Sequence, residues 1–309
     1  MRHLGRYRLD EQLGSGAFAT VWRGFDPELD SVVAVKVLAE NWATNSDVCE
    51  RFLVEARLLR RISHPAVVRV HDVGTACGDD GVERPYFVMD HVAGGTLASR
   101  IGALPPRDAL ALAVEAAEAV QVLHDEGALH RDIKPSNLLV DPARTGQRVL
   151  VADLGSVKLL ADASMLTMVA GTPAYMAPEQ ALSSGSLDGR ADVYAMGAVT
   201  YQLLSGRLPY DVDSPTEALG RPDAPPPAIA EDLGLPGKLD LVLSHALAKD
   251  PRARFETSAA FAKALRDVAD GRPVVLPPRH VGGRWPASAV AVVAGLVFLV
   301  AAAVVWLVS

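Results

Sequence analysis

The sequence predicts an α+β chain of two lobes, a small strand-rich N-terminal lobe with one key helix and a larger helical C-terminal lobe, followed by a single transmembrane helix. Three observations predict it. Up to about residue 89, short β-branched runs such as Val32-Val33-Ala34-Val35-Lys36-Val37 lie between turn residues, the mark of strands. Beyond Pro105, long stretches rich in Ala, Leu and Val recur at helical spacing. From Ala287 to Val308 no residue is charged and only Ser288 and Gly295 interrupt an apolar run. At roughly 1.5 Å per residue that run makes a helix of about 33 Å, enough to cross a bilayer core.

In chain order, the N-terminal lobe (about 7–89) begins with two apolar runs separated by a turn at Gly14, then the strand around Lys36. Between Ser46 and Ile62 the apolar residues Val48, Phe52, Leu58, Leu59 and Ile62 recur at helical spacing, Glu55 falls inside, and Ser63-His64-Pro65 ends the helix. Residues 91–98 break the pattern, and the helical lobe (about 93–268) follows. Its first helix is expected over Pro105 to Gly127. A second runs from Ala191 to Ser205, with Gly206 suited to the left-handed residue that ends a helix. Residues 221–237, rich in Pro and Gly, read as loop. Pro273, Pro277, Pro278 and Pro286 mark 271–286 as a juxtamembrane linker before the helix at 287–308. Arg279 and Arg284 precede that helix and Trp285 stands at the expected interface, so the lobes should be cytoplasmic, in a single-pass protein of the cell membrane. Only Ser309 follows the helix, which leads us to expect no external sensor domain.

Composition narrows the function classes. A chain of 309 residues, half of them apolar, suits one or two domains, and a formal charge of −7 argues against a nucleic-acid partner, which would need a basic face. The cluster Arg57, Arg60 and Arg61 fits an exposed helix face. Cys49 and Cys77 are far apart and have no metal-ligand spacing around them, so neither a disulfide framework nor a zinc site is expected. The N-terminus lacks the apolar stretch of a cleavable signal.

The chemistry is concentrated in His130-Arg131-Asp132-Ile133-Lys134-Pro135-Ser136-Asn137, with Asp153-Leu154-Gly155 sixteen residues further on. Phosphoryl transfer needs a carboxylate to orient and deprotonate a hydroxyl, a cation near the moving phosphate and oxygen ligands for a divalent metal. Asp132, Lys134 and the Asn137/Asp153 pair could supply them in turn. Upstream, Leu13-Gly14-Ser15-Gly16-Ala17-Phe18-Ala19-Thr20-Val21 is a glycine-rich turn between strands, where small residues let backbone N–H groups approach phosphates. A strand follows these glycines, not a helix, which excludes a dinucleotide-binding βαβ unit.

With these motifs in this order, the chain from about Tyr7 to about Val268 resembles the eukaryotic-type serine/threonine protein kinases. The C-terminal apolar helix, and the presence of only six lysines among the 30 Lys+Arg residues, resemble the bacterial Hanks-type branch. The resemblance implies a bilobal protein-kinase fold that binds ATP with Mg²⁺ or Mn²⁺. Leu13, Gly14, Ser15, Gly16, Ala17, Val21 and Ala34 would line the nucleotide site. Lys36 would grip the α and β phosphates, paired with Glu55, while Met89 would be the gatekeeper and backbone atoms of Asp90 and Val92 would meet adenine. Asp132 and Lys134 would be catalytic, and Asn137 and Asp153 would hold the metal. Ala19 stands where the family has a third glycine. Leu154 replaces the usual Phe and keeps an apolar side chain beside the metal-binding Asp153.

The resemblance also implies an activation segment from Asp153 to Glu179, with Gly171-Thr172-Pro173-Ala174-Tyr175-Met176-Ala177-Pro178-Glu179 as its substrate loop. Thr172 would contact Asp132 and Lys134. Glu179 would pair with Arg254, and Asp192 would brace the catalytic-loop backbone, both in structural roles. Arg131 would answer a phosphate on Thr167 or Ser164, the candidate autophosphorylation sites. The expected activity is transfer of the γ-phosphate of ATP to Ser/Thr hydroxyls of protein substrates in bacterial signal transduction. The long activation segment and substrate loop favour this over a small-molecule phosphotransferase. The alternative is a membrane-anchored ATP-binding pseudokinase scaffold. Confinement to a membrane would favour phosphorylation in trans, so a homodimer stands among the expected partners. Between Ser214 and Gly237, where related kinases place a substrate-docking helix, the chain is proline-rich and interrupted by Gly220-Arg221-Pro222.

Overall fold

The computed structural model describes residues 2–143, 146–154, 173–181 and 187–278. Six strands form one antiparallel sheet: β1 (His3–Leu4), β2 (Tyr7–Ser15), β3 (Ala19–Asp26), β4 (Ser31–Leu38), β5 (Val70–Cys77) and β6 (Glu83–Asp90), in the order β1-β2-β3-β4-β6-β5. Strand β4 is central and is buried on both faces from Val33 to Leu38. Val33, Val35 and Val37 point into one apolar cluster with Leu4, Tyr7, Leu9 and Val88, while Ala34 and Leu38 face the main core. Period-two alternation therefore puts Lys36 on the main-core face, in register with Val21 of β3 and Phe87 of β6.

Helix α1 (Ser46–Arg61) packs on that face. The Asn45 side chain accepts from the Val48 N–H at 3.1 Å, Asp47 lies in the first turn and Arg60 and Arg61 in the last, which suits the helix dipole. Its buried stripe, Val48, Phe52, Glu55, Ala56 and Leu59, is apolar except for Glu55. The carboxylate that the sequence places inside this helix thus points into the core beneath the sheet.

The C-terminal lobe is built on α2 (Pro106–Asp125) and α3 (Arg190–Ser205), joined by α4 (Pro215–Gly220), α5 (Lys238–Ala246) and α6 (Ser258–Ala269). The alanines of α2 allow close packing, and Ser258 Oγ donates to the Ala117 carbonyl at 2.7 Å to fasten α6 to it. Helix α3 is buried on nearly every side and ends at Gly206 with φ 75°. A Cβ on Gly197 would stand 2.9 Å from the Ala246 Cβ, so this glycine sets how closely α3 meets α5. A hairpin of β7 (Leu138–Ala143) and β8 (Gly146–Val151) follows the catalytic loop, and Val68 N–H bonds to the Val151 carbonyl at 3.0 Å to link it to the N-terminal lobe.

The compact unit runs to Pro277, further than the expected domain end near 268. Val274 and Leu276 pack against the main core, and Arg272 pairs with Asp267 at 2.9 Å and Asp270 at 2.7 Å. The first residues of the expected linker are therefore part of the lobe. Linker residues 279–286 and the expected membrane helix 287–308 lie outside the described residues. Among the described residues no helix is long and apolar enough to cross a membrane.

Candidate active site

Between the lobes, Lys36 Nζ lies 2.9 Å from Glu55 Oε1 and also bonds Asp153 Oδ1, and it stands 5.8 and 5.3 Å from the Phe52 and Phe87 ring centroids. Lys36 and Glu55 are both buried. Burial alone would lower the Lys36 pKa, but the charges of Asp153 and Glu55 outweigh it and raise the value above its ordinary range. Burial pushes the Glu55 carboxyl up, Lys36 pulls it back, and the net position stays above the usual carboxylate range. The ammonium is thus held charged and aimed by two acids from different elements.

The loop at 130–137 is supported by Asp192, at the start of α3. Its Oδ2 accepts from the His130 N–H at 2.8 Å and its Oδ1 from the Arg131 N–H at 2.8 Å, and His124 Nε2 lies 2.9 Å away. Burial raises the Asp192 pKa, but the His124 bond, the His130 and His124 imidazoles and the Arg131 N–H outweigh it, leaving the carboxyl below its ordinary range. His130 is fully buried; its Nε2 faces the Ala152 carbonyl at 3.1 Å while Nδ1 accepts from the Asp132 N–H at 3.3 Å, which assigns the proton to Nε2. Arg131 (φ 64°) and Asp153 (φ 62°) both adopt left-handed backbone, unusual for non-glycine residues.

Held this way, Asp132 Oδ2 accepts from Asn137 Nδ2 at 2.9 Å and lies 3.2 Å from Lys134 Nζ. Asn137 Nδ2 also donates to the Asp132 carbonyl at 2.8 Å, so the amide nitrogen is committed to Asp132 and the amide oxygen is the atom presented to a cation. One carboxylate and one amide oxygen are hard donors that would suit Mg²⁺ or Mn²⁺. Among the described residues no cluster of three or more His, Cys, Asp or Glu could hold a metal, and this donor pair does not require one. Leu154 is buried, so its apolar packing is kept.

The glycine-rich turn links β2 to β3, with Gly16 N–H bonded to the Ala19 carbonyl at 2.9 Å. A Cβ on Gly14 would meet nothing within 4 Å, and one on Gly16 only the Ala19 carbonyl at 3.7 Å. The protein itself does not crowd these glycines; the space above them is free for a ligand. Ala19, at the third-glycine position, is buried in the main core, whereas Leu13 is half exposed. Trp42, which the sequence reading passed over, fastens the turn: its Nε1 donates to the Ala17 carbonyl at 3.0 Å and its ring stacks on Phe18 at 5.1 Å.

At the lobe connection Met89 is buried and in register with Ala34. The Asp90 N–H bonds to the Arg69 carbonyl at 3.0 Å, so a backbone contact from Asp90 to a ligand falls to its carbonyl. The Asp90 side chain turns to His71 Nε2 at 2.7 Å. A separate cavity of about 440 Å³ lies against this connection, lined by Ile62, His64, Arg69, Asp90, Val92 and Leu150, and none of Lys36, Asp132, Asn137 or Asp153 reaches it.

Beyond the catalytic loop, Arg254 grips Glu179 with two bonds of 2.6 and 2.8 Å and donates also to the Arg190, Ala248 and Lys249 carbonyls. Gln180, a second residue that the sequence reading missed, accepts from the Ala177 N–H at 3.0 Å and donates to the Arg131 carbonyl at 3.0 Å, tying this segment to the catalytic loop. Nothing in the sequence marks it beyond its place next to Glu179. Ser164, Thr167 and Thr172 lie outside the described residues.

The protein kinase domain family model matches residues 7–263. The chain is 37% identical over 282 residues to the serine/threonine-protein kinase PknA of Mycobacterium tuberculosis (strain ATCC 25618 / H37Rv), covering 89% of this chain and 63% of that protein. It is 36% identical over 281 residues to the serine/threonine-protein kinase PknB of Mycobacterium leprae (strain TN), covering 88% of this chain and 44% of that one. It thus spans less than two-thirds of the length of these relatives. The crystal structure of the Mycobacterium tuberculosis PknI kinase domain matches with a TM-score of 0.65 and 31% identity, over 86% of this chain and 97% of that one. Over residues that include every motif described above, this chain belongs to the protein kinase domain family.

Proposed function

We propose that the chain is a serine/threonine protein kinase that transfers the γ-phosphate of ATP to hydroxyls of protein substrates. The observation that carries this reading is the pairing of Lys36 with Glu55 and Asp153 beside the cluster of Asp132, Lys134 and Asn137, the two tied together by the Ala152 N–H donating to the Asn137 carbonyl at 3.0 Å. In this reading Gly14, Ser15, Gly16 and Ala17 receive the phosphates, Leu13, Val21 and Ala34 border the base, and Met89 limits the pocket. The Asp90 carbonyl and Val92 backbone orient adenine. Lys36 holds the α and β phosphates, Asp132 orients the acceptor hydroxyl and takes its proton, and Lys134 balances charge on the moving phosphoryl group. Bound at Asn137 and Asp153, Mg²⁺ or Mn²⁺ supplies charge neutralisation for the phosphate oxygens. The relatives' printed names as serine/threonine-protein kinases support the acceptor class.

The same proposal includes autophosphorylation at Thr167 or Ser164, phosphorylation in trans within a homodimer, and a cell-membrane anchor at 287–308 with the kinase domain on the cytoplasmic side. Its support is the apolar run and the flanking Arg279 and Arg284. Incubating the full chain with γ-labelled ATP and Mg²⁺ or Mn²⁺ tests the activity. Label on Thr167 or Ser164 in the parent, absent from Asp132→Asn and Lys36→Ala variants, is the expected result. Absence of label with either metal, despite nucleotide binding, would sink the kinase reading in favour of a scaffold.

A further inference from the structure

The chain leaves β6 for the helical lobe through Ala93-Gly94-Gly95, and no role described above uses these glycines. Gly94 lies directly against β7. A Cβ built on it would overlap the Val140 carbonyl oxygen, stand 2.9 Å from the carbonyl carbon and meet Pro142 Cδ at 3.2 Å. The first two are backbone atoms, which cannot rotate away as a side-chain tip can, so any larger residue at this position must part the two segments. Three further contacts hold the crossing closed. The Val140 N–H donates to the Gly95 carbonyl at 2.9 Å, Thr96 pairs with Leu139 in an antiparallel bridge, and Arg100 Nη2 donates to the Gly94 carbonyl at 3.1 Å.

On one side of this crossing stands the backbone that would orient adenine, and on the other the amide that would hold the metal. Gly94 follows closely on Asp90 and Val92, and Val140 on Asn137. Each side is braced by itself. Asp90 is in register with Val33 of β4, and its N–H bonds to the Arg69 carbonyl at 3.0 Å. Asn137 Nδ2 donates to Asp132 at 2.8 and 2.9 Å, the Asn137 carbonyl accepts from the Ala152 N–H at 3.0 Å, and β7 pairs with β8 along its whole length. With both sides internally fixed, the quantity left for residue 94 to set is the gap between them.

We propose that Gly94 is a positioning residue that sets the reach from the base site to the metal site, so that one nucleotide can occupy both at once. This rests on the kinase reading of the site. A ligand that engages both ends gains from their spacing and loses when it changes, whereas a ligand that uses only the base end does not. The test is calorimetry on the full chain in detergent and on its Gly94→Ala and Arg100→Ala variants, with ATP·Mg²⁺ and with adenosine. Gly94→Ala should weaken ATP·Mg²⁺ binding about tenfold and adenosine binding by less than about twofold. Arg100→Ala frees the Gly94 carbonyl without adding an atom and should weaken ATP·Mg²⁺ about threefold, again sparing adenosine. Equal weakening of both ligands, the mark of a merely structural role, or an unchanged ATP·Mg²⁺ affinity would overturn the proposal. Should Gly94→Ala fail to fold, Arg100→Ala decides by the same comparison. A parent that binds ATP·Mg²⁺ yet transfers no label from γ-labelled ATP fails the kinase reading alone, and the two affinities still decide the role of Gly94. A parent that binds neither ligand overturns both.

Discussion

At the residue scale, Asp192 is one buried carboxylate that receives the backbone N–H groups of His130 and Arg131 and faces His124. Its depressed pKa is also a statement about stability. A carboxyl with a lower pKa in the folded chain adds stability that is fully present above its unfolded value of about 3.9 and is lost as pH falls through the folded value. Asp192→Asn places an NH₂ group against one of those two N–H donors and should lower unfolding stability by about 3 kcal/mol at neutral pH. Denaturant unfolding between neutral pH and pH 3 checks this: the gap between parent and variant should narrow in acid. A variant as stable as the parent at pH 7 would refute the bracing role. Arg131 and Asp153 add left-handed backbone that costs about 1–3 kcal/mol each, and the Asp192 and Lys36 contacts are what hold it.

At the scale of elements, the glycines of the turn are uncrowded, and the turn is held from the side by Trp42. Trp42 lies between β4 and α1, and Cys49 of α1 donates to the Ala43 carbonyl at 3.3 Å, so turn and helix share an anchor. Trp42→Ala should therefore loosen the turn and raise KM for ATP about threefold to tenfold, with kcat less affected. Steady-state kinetics against ATP reads this directly, and an unchanged KM would show that the turn is held by its own strands alone.

For the whole molecule, the main core runs continuously from Phe18 in the glycine-rich turn and Ala34 in the sheet to Phe261 and Val268 in α6, so the two lobes share one packed interior. That interior also takes in Val274 and Leu276, which fixes where the chain can be shortened without stripping packing. A chain ending at Arg284 keeps these contacts and the Arg272 pairs and lacks the apolar run with Trp285, Pro286 and Ser309 beside it. It should fractionate with soluble protein, whereas the full chain sediments with membranes. Equal partitioning of both would refute the anchor.

The sequence by itself determined the order of the chemical groups and the periods of the elements that carry them. The stretch from His130 to Asn137, with Asp153 beyond it, the β4 run around Lys36, the α1 stripe and the stop at Gly206 are all local patterns, and local patterns survive in a linear text. The pairs Lys36–Glu55 and Glu179–Arg254 were expected through family resemblance, since a lysine in a strand and a glutamate in a helix carry no mark of each other. Trp42, Gln180, His124 and Gly94 were legible only once the chain was folded. Lys36 and Asp153 are 117 positions apart, and Glu179 and Arg254 are 75 apart. What joins them is burial, which forces each polar group taken from water to find a partner wherever packing brings one. Such a choice is made by the tertiary structure as a whole and leaves no local pattern to read.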